Sequence, residues 1–212
     1  MKKTIVNVII LSVLLVSCGK SSKAKVSNDW RVTSYEESFI SIDEDGEKST
    51  ETLSITESTY NENVKDEQFG NFTYSATGTV QLYNYTINKN GTWSSESEVE
   101  YTNSQGTSTT KSIKSASGTW AFIGKTKGDD FKKNERILFN TLAESTELVK
   151  NNGQSPSSLQ SKYLTGEKTR IYTVKESERK KLMIESSEKY VSTEGSTVST
   201  KERLIKIVMK QA

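Results

Sequence analysis

The chain has 212 residues, with 29 lysines and arginines against 27 aspartates and glutamates, no histidine, one cysteine and one proline. So even a charge balance offers no clustered positive surface of the kind that nucleic-acid phosphates reward, and no nucleic-acid partner is expected. The missing histidine removes Ser-His-Asp and Cys-His nucleophile pairs and the commonest zinc and copper ligand, and the lone cysteine excludes an intrachain disulfide.

The first segment reads MKKTIVNVIILSVLLVSC: two lysines, an apolar run from Ile5 to Val16 broken only by Asn7 and Ser12, then a small residue before Cys18. That is the layout of a secretory signal, and at about a dozen residues the run falls short of the ~20 that span a bilayer core. Leu15-Val16-Ser17-Cys18 resembles the lipobox of bacterial lipoproteins. The resemblance implies a diacylglyceryl group on the Cys18 sulfur, cleavage before Cys18, acylation of the new amino terminus, and a stable hold on a membrane through several acyl chains. Removing residues 1–17 takes away Lys2 and Lys3 and no acidic residue, leaving 27 basic and 27 acidic side chains. Cys18 is followed by Gly-Lys-Ser-Ser, with no aspartate at the next position and no acidic run, so a periplasm-facing place in the outer membrane of a bacterial envelope is the expected location.

Residues 19–28, GKSSKAKVSN, are small, polar and basic, and read together with Cys18 as a flexible tether. The folded domain is predicted over residues 29–212. Its apolar residues recur with period two, the signature of half-buried strands. Trp30, Val32 and Ser34 are placed on one face; Leu53 with Ile55, and Phe72 with Tyr74, form further rows. Tyr83, Tyr85 and Ile87 lead into Asn88-Lys89-Asn90-Gly91, an Asn-Gly turn signal, and Trp93 opens the next row toward Val99 and Tyr101. Gly118-Thr119-Trp120 opens a strand through Phe122; RILFNTL at 136–142, Ile171 to Val174, Leu182 to Ile184 and LIKIVM at 204–209 read as others. Segment 149–162, with the single proline, is predicted as a long hairpin loop. Weaker runs near 110, 146, 163 and 190 bring the total to about ten to twelve strands. Sustained helical period is absent after the signal region, so an all-β antiparallel meander closing into a barrel is predicted, because closure removes aggregation-prone edges.

Trp30, the unit around NKNGTW at 88–93, the second GTW at 118–120 and IYTVKESERKKLMIE at 171–185 together resemble the lipocalin-like lipoproteins common in Bacteroidetes. In lipocalins a Gly-x-Trp lies on the first strand, whereas both GTW units here come later and Asn28-Asp29 precedes Trp30. The resemblance implies a barrel of eight to ten strands that binds a small apolar ligand, and carries over no catalytic residue.

The residues single out few sites. SIDEDGEKSTET at 41–52 mimics part of a calcium loop, with Asp43, Asp45 and Gly46 in register, but Ser41 and Thr52 stand where the first aspartate and the bidentate glutamate belong. A solvated Asp-Gly turn is the expectation, and neither metal nor cofactor is expected. Trp30, Trp93 and Trp120 read as core or as pocket wall, as do Tyr83, Tyr85 and Tyr101. If a cavity exists, Tyr83, Tyr85 and Trp93 are the expected ligand contacts. The expected function is non-enzymatic: a membrane-anchored barrel binding a small apolar or amphipathic ligand. The alternative is an envelope scaffold with a filled barrel and a protein partner that the sequence does not name.

Overall fold

The computed structural model describes residues 22–67, 70–106, 108–123, 134–151, 155–194 and 197–212. A short helix, α1 (Ser22–Val26), precedes eleven strands: β1 (Asp29–Ile42), β2 (Lys48–Thr56), β3 (Thr59–Asp66), β4 (Phe72–Ile87), β5 (Thr92–Asn103), β6 (Thr109–Phe122), β7 (Glu135–Lys150), β8 (Ser157–Lys162), β9 (Thr169–Ser177), β10 (Lys181–Glu194) and β11 (Thr197–Gln211). All pairings are antiparallel. The first strand pairs with the last from Trp30↔Gln211 to Ile42↔Thr200, and this seam closes ten strands into a barrel with β8 attached to β7.

The barrel flares. At one end β1 pairs directly with β4, Asp29–Arg31 against Thr86–Asn84, and the ring there has eight strands. Further along, the β2–β3 hairpin wedges between β1 and β4 and raises the number to ten. Barrel diameter grows with strand number, so the eight-stranded end is a narrow base and the other a wide rim. The wall is also incomplete near the rim. The outer edge of β7 is shared between β9 (Glu135–Asn140) and β8 (Ala143–Leu148), while β10 meets β9 only over Leu182–Glu185. Above that, β10 is paired with β11 alone, leaving a lateral split beside β8.

The base is filled. On β11 the inward side chains Ile205, Ile207 and Met209 are completely buried, while Lys206 and Lys210 alternate outward. Leu182, Ile184, Ile137 and Ile87 meet them. Each such aliphatic group contributes about 1.5–3 kcal/mol by leaving water, so most of the packing energy is concentrated at this end. Trp30 is fully buried here and its indole N–H donates to the Val26 carbonyl at 2.8 Å, tying α1 under the base. Outside, cross-strand ion pairs such as Lys111–Glu98 (2.6 Å) and Lys181–Glu176 (2.6 Å) are half exposed and contribute little each.

Three expectations need correction. Residues 22–26, assigned to the tether ahead of a domain starting at Asp29, form α1 and join the fold, because Val26 is completely buried. Ser34 does not share the face of Trp30 and Val32, since a β-bulge between Val32 and Ser34 makes Tyr35 the next buried residue. Residues 157–162 of the predicted loop form β8, whose polar side chains are mostly exposed and whose order comes from hydrogen bonds to the free edge of β7.

The turn glycines behave as their positions require. Gly91 closes the β4–β5 turn at φ +88°, a backbone region that strains other residues. Gly118, in the second GTW, lies on β6 opposite a bulge in β7, and a Cβ there would fall 1.9 Å from the Asn140 carbonyl oxygen.

Candidate functional site

Above the packed base the barrel opens into a cavity of about 400 Å³ whose wall includes Tyr35, Tyr83, Tyr85, Trp93, Phe139 and Tyr172. These six rings form one continuous belt. Tyr35 and Tyr83 have centroids 5.8 Å apart, Tyr83 and Tyr85 5.8 Å, and Tyr85 stacks on Trp93 at 6.1 Å. Trp93 meets Phe139 edge-on at 5.1 Å, and Phe139 meets Tyr172 edge-on at 5.7 Å. Such pairs are worth ~0.5–1.5 kcal/mol each beyond area burial, which makes a stiff floor out of residues from β1, β4, β5, β7 and β9. The Trp93 indole N–H donates to the Asn140 carbonyl at 3.3 Å and fixes the ring's tilt. Ile184 and Ile207 complete the apolar side of the cavity.

The other side is polar. Ser95 and Ser97 on β5, Lys114 on β6, Thr141, Glu144 and Thr146 on β7, and Lys168 and Arg170 at the start of β9 face the cavity. Glu144 accepts hydrogen bonds from the Lys168 ammonium and the Tyr163 hydroxyl. Burial pushes its carboxyl up, but Lys168 and Tyr163, helped by Lys114, outweigh that and hold it below the ordinary carboxylate value. Arg170 pairs with Glu188 across the lateral split at 3.1 Å. Burial opposes the guanidinium charge, and Tyr172 with Glu188 more than restores it.

The aromatic hydroxyls stay protonated. Burial first, then a neighbouring charge or phenol (Glu37 for Tyr35, Tyr35 for Tyr83, Tyr83 for Tyr85), drives these three well above the usual tyrosine value. Tyr172 is raised by burial against the pull of Arg170. The belt therefore presents apolar faces and neutral polar tips, a combination suited to holding a ligand without covalent chemistry.

Toward the rim on the β1–β3 side, Glu37, Glu51 and Glu62 share the inward face, with Leu53 paired to Glu37 on one side and Glu62 on the other. Glu37 accepts from Tyr35 at 2.5 Å and lies 2.8 Å from the Arg203 Nε; Glu62 accepts from Tyr60 at 2.8 Å. Among the described residues no group of three or more carboxylates, cysteines or histidines is disposed to hold a metal ion. In the 41–52 turn the Asp43 carboxylate accepts from the backbone N–H groups of Asp45 (3.0 Å) and Glu47 (2.9 Å), a self-contained Asx turn with Gly46 at φ +83°.

Of the residues singled out in the sequence, Tyr83, Tyr85 and Trp93 stand together on the cavity wall. Tyr101 instead stacks on Tyr60 at 5.3 Å, away from it. Trp30 and Trp120 belong to the base, the latter donating to the Asn88 carbonyl at 2.7 Å. Cys18 lies outside the described residues. Tyr35, Phe139 and Tyr172 were missed, along with Lys114, Glu144, Lys168 and Arg170. Arg170, Tyr172 and Val174 alternate cleanly in the sequence and could have been read as one inward row, whereas Tyr35 was hidden by the bulge. Neither a family model, nor a curated protein, nor a solved structure matches this chain.

Proposed function

We propose that this chain is a lipid-anchored envelope protein of the lipocalin-like kind whose barrel binds a small amphipathic molecule. The observation that carries the binding half is the cavity: about 400 Å³, floored by an unbroken belt of six rings and walled on the other side by hydroxyls and charges. A barrel serving only as a scaffold would fill its lumen with its own side chains, and here complete filling is confined to the base. The volume falls in the range of small-ligand sites, ~300–1,000 Å³. The apolar part of the ligand lies on Tyr85, Trp93 and Phe139, and its polar part faces β5, β6 and β7. Binding, without bond making or breaking, is the whole activity.

The anchor half rests on the sequence around Cys18, with the base of the barrel held to the periplasmic face of the outer membrane. Tryptophan fluorescence tests the binding half, since Trp93 lies on the cavity wall. Titration with short-chain amphiphiles shifts the emission of the wild type saturably, and Tyr85→Ala weakens the apparent affinity several-fold. A screen of lipids and small amphiphiles that leaves the emission unchanged, with Tyr85→Ala merely lowering the melting temperature, refutes ligand binding and leaves the scaffold reading.

A further inference from the structure

The polar wall of the cavity is not evenly polar. It carries three cations, Lys114, Lys168 and Arg170, and one carboxylate, Glu144. Glu144 is engaged by Lys168, and Arg170 by Glu188. Lys114 has no ion pair or hydrogen bond to any described residue, though it stands near enough to Glu144 and Glu51 to bear on both carboxyls. Lys114 is thus the one cation on this wall with no hydrogen-bonded counter-ion among the described residues.

The register surrounds that charge with hydroxyls. Lys114 on β6 pairs with Ser97 on β5 and with Thr146 on β7, and Ser97 in turn pairs with Tyr83 on β4. All four residues face the cavity. Directly paired side chains on one face of a sheet lie about 5 Å apart, so the row Tyr83, Ser97, Lys114, Thr146 sets the Ser97 and Thr146 hydroxyls on either side of one ammonium, with Tyr83 one strand beyond Ser97. Two residues nearer the base, Ser95 pairs with Ala116 and Ala116 with Glu144. The small side chains of Ser95 and Ala116 leave room beneath the row, toward the aromatic floor.

We propose that the ligand of this cavity carries an acid group, which sits on the Tyr83–Ser97–Lys114–Thr146 row while its apolar portion lies on the Tyr85–Trp93–Phe139 floor. The inference rests on the amphiphile-binding reading and adds the charge of the head group. An oxyanion there accepts hydrogen bonds from hydroxyls and is neutralised by the one wall cation that no side chain hydrogen-bonds, and charge-assisted bonds of this sort are the strong ones. A cationic head meets Lys114 with like charge, and a neutral head leaves the ammonium without its counter-ion.

The test uses three amphiphiles of equal chain length, dodecanoate, dodecanol and dodecylamine, each below its aggregation concentration, titrated calorimetrically into the full domain. Dodecanoate binds about tenfold tighter than dodecanol, and dodecylamine more weakly than either. Lys114→Met brings dodecanoate down to the level of dodecanol measured in the same variant, and Lys114→Arg keeps most of the preference. In the wild type, raising the salt concentration narrows the gap between acid and alcohol, a readout that needs no variant. Equal binding of acid and alcohol, or an acid preference that survives Lys114→Met, overturns the proposal while leaving amphiphile binding intact. Failure of all three to bind removes the amphiphile reading itself and this proposal with it.

Discussion

Glu51 is the carboxylate on the rim side that the fold treats least well. Its own burial, then the carboxylates of Glu62 and Glu37, push it above the ordinary value, against a weaker pull from Arg203 and Lys114. A carboxyl that titrates higher folded than unfolded binds its proton more tightly in the folded state. Its contribution to stability is therefore present at acid pH and is lost as pH rises from the unfolded value through the folded one. Glu51→Gln accordingly raises the melting temperature at pH 7, by no more than ~2 °C given the solvent screening that remains. The gain vanishes below about pH 4, where the unfolded carboxyl is itself protonated. Thermal scans of both proteins across this window check it; a gain of the same size at both ends would show that the repulsion among the three glutamates is not its cause. The same residue-level reading explains why only half of the aromatic belt was legible. Tyr83, Tyr85 and Trp93 lie on the two arms of one hairpin with an Asn-Gly turn, so local pattern brings them together. Tyr35 stands behind the β1 bulge, and Phe139 and Tyr172 come from strands remote in sequence from the hairpin, so no single local period joins the three to it.

At the level of elements, the legible strands are those with apolar rows of their own: β1, β2, β4 and β5 around the NKNG turn, β6, β7, β9, β10 and β11. Three elements escaped, α1, β3 and β8, and α1 and β8 share a reason, that partners elsewhere in the fold hold them and their own composition does not. Five residues of α1 are far too few for a stable isolated helix; it persists because Val26 is buried and its carbonyl accepts the Trp30 indole. The Ser-rich β8 has no apolar face and exists because β7 outruns β9 and leaves an edge to pair. Gly118 shows the converse, a residue whose role is set by the spacing of two elements. Any side chain there drives β6 away from the Asn140 carbonyl at the bulge, so Gly118→Ala costs about 1–3 kcal/mol as an overpacking substitution. Urea denaturation reads this as a lower midpoint with unchanged slope. An unaltered midpoint would mean that the bulge relaxes freely and that the close approach of β6 and β7 is not a constraint.

For the whole molecule, the position of α1 has a geometric consequence if Cys18 carries the anchor. Cys18 and Ser22 are four residues apart in sequence, a reach of at most roughly 14 Å, and α1 is tied under the base through Trp30 and Val26. The acylated sulfur then holds the narrow end of the barrel close to the bilayer, and the rim, with the 43–47 turn, faces away. Charge agrees with that orientation: Lys25, Lys89 and Arg179 line a groove at the base with no carboxylate among its lining residues, a surface that favours anionic head groups. In that orientation the lateral split and the rim face away from the bilayer, and a ligand of the proposed kind would enter the cavity from the aqueous side and not straight out of the membrane. Because Cys18 is the one cysteine, a second can be introduced and labelled without ambiguity once the first is acylated. In acylated protein reconstituted into vesicles with a head-group-linked fluorescence quencher, a label at Lys89→Cys is strongly quenched and a label at Asp45→Cys is not. Changing Cys18 to Ser abolishes quenching at both positions by releasing the protein from the vesicles. Equal quenching at Lys89 and Asp45 in the acylated protein would mean that the barrel lies on its side. The split beside β8 would then be free to face the lipid, and the route from cavity to membrane would have to be redrawn.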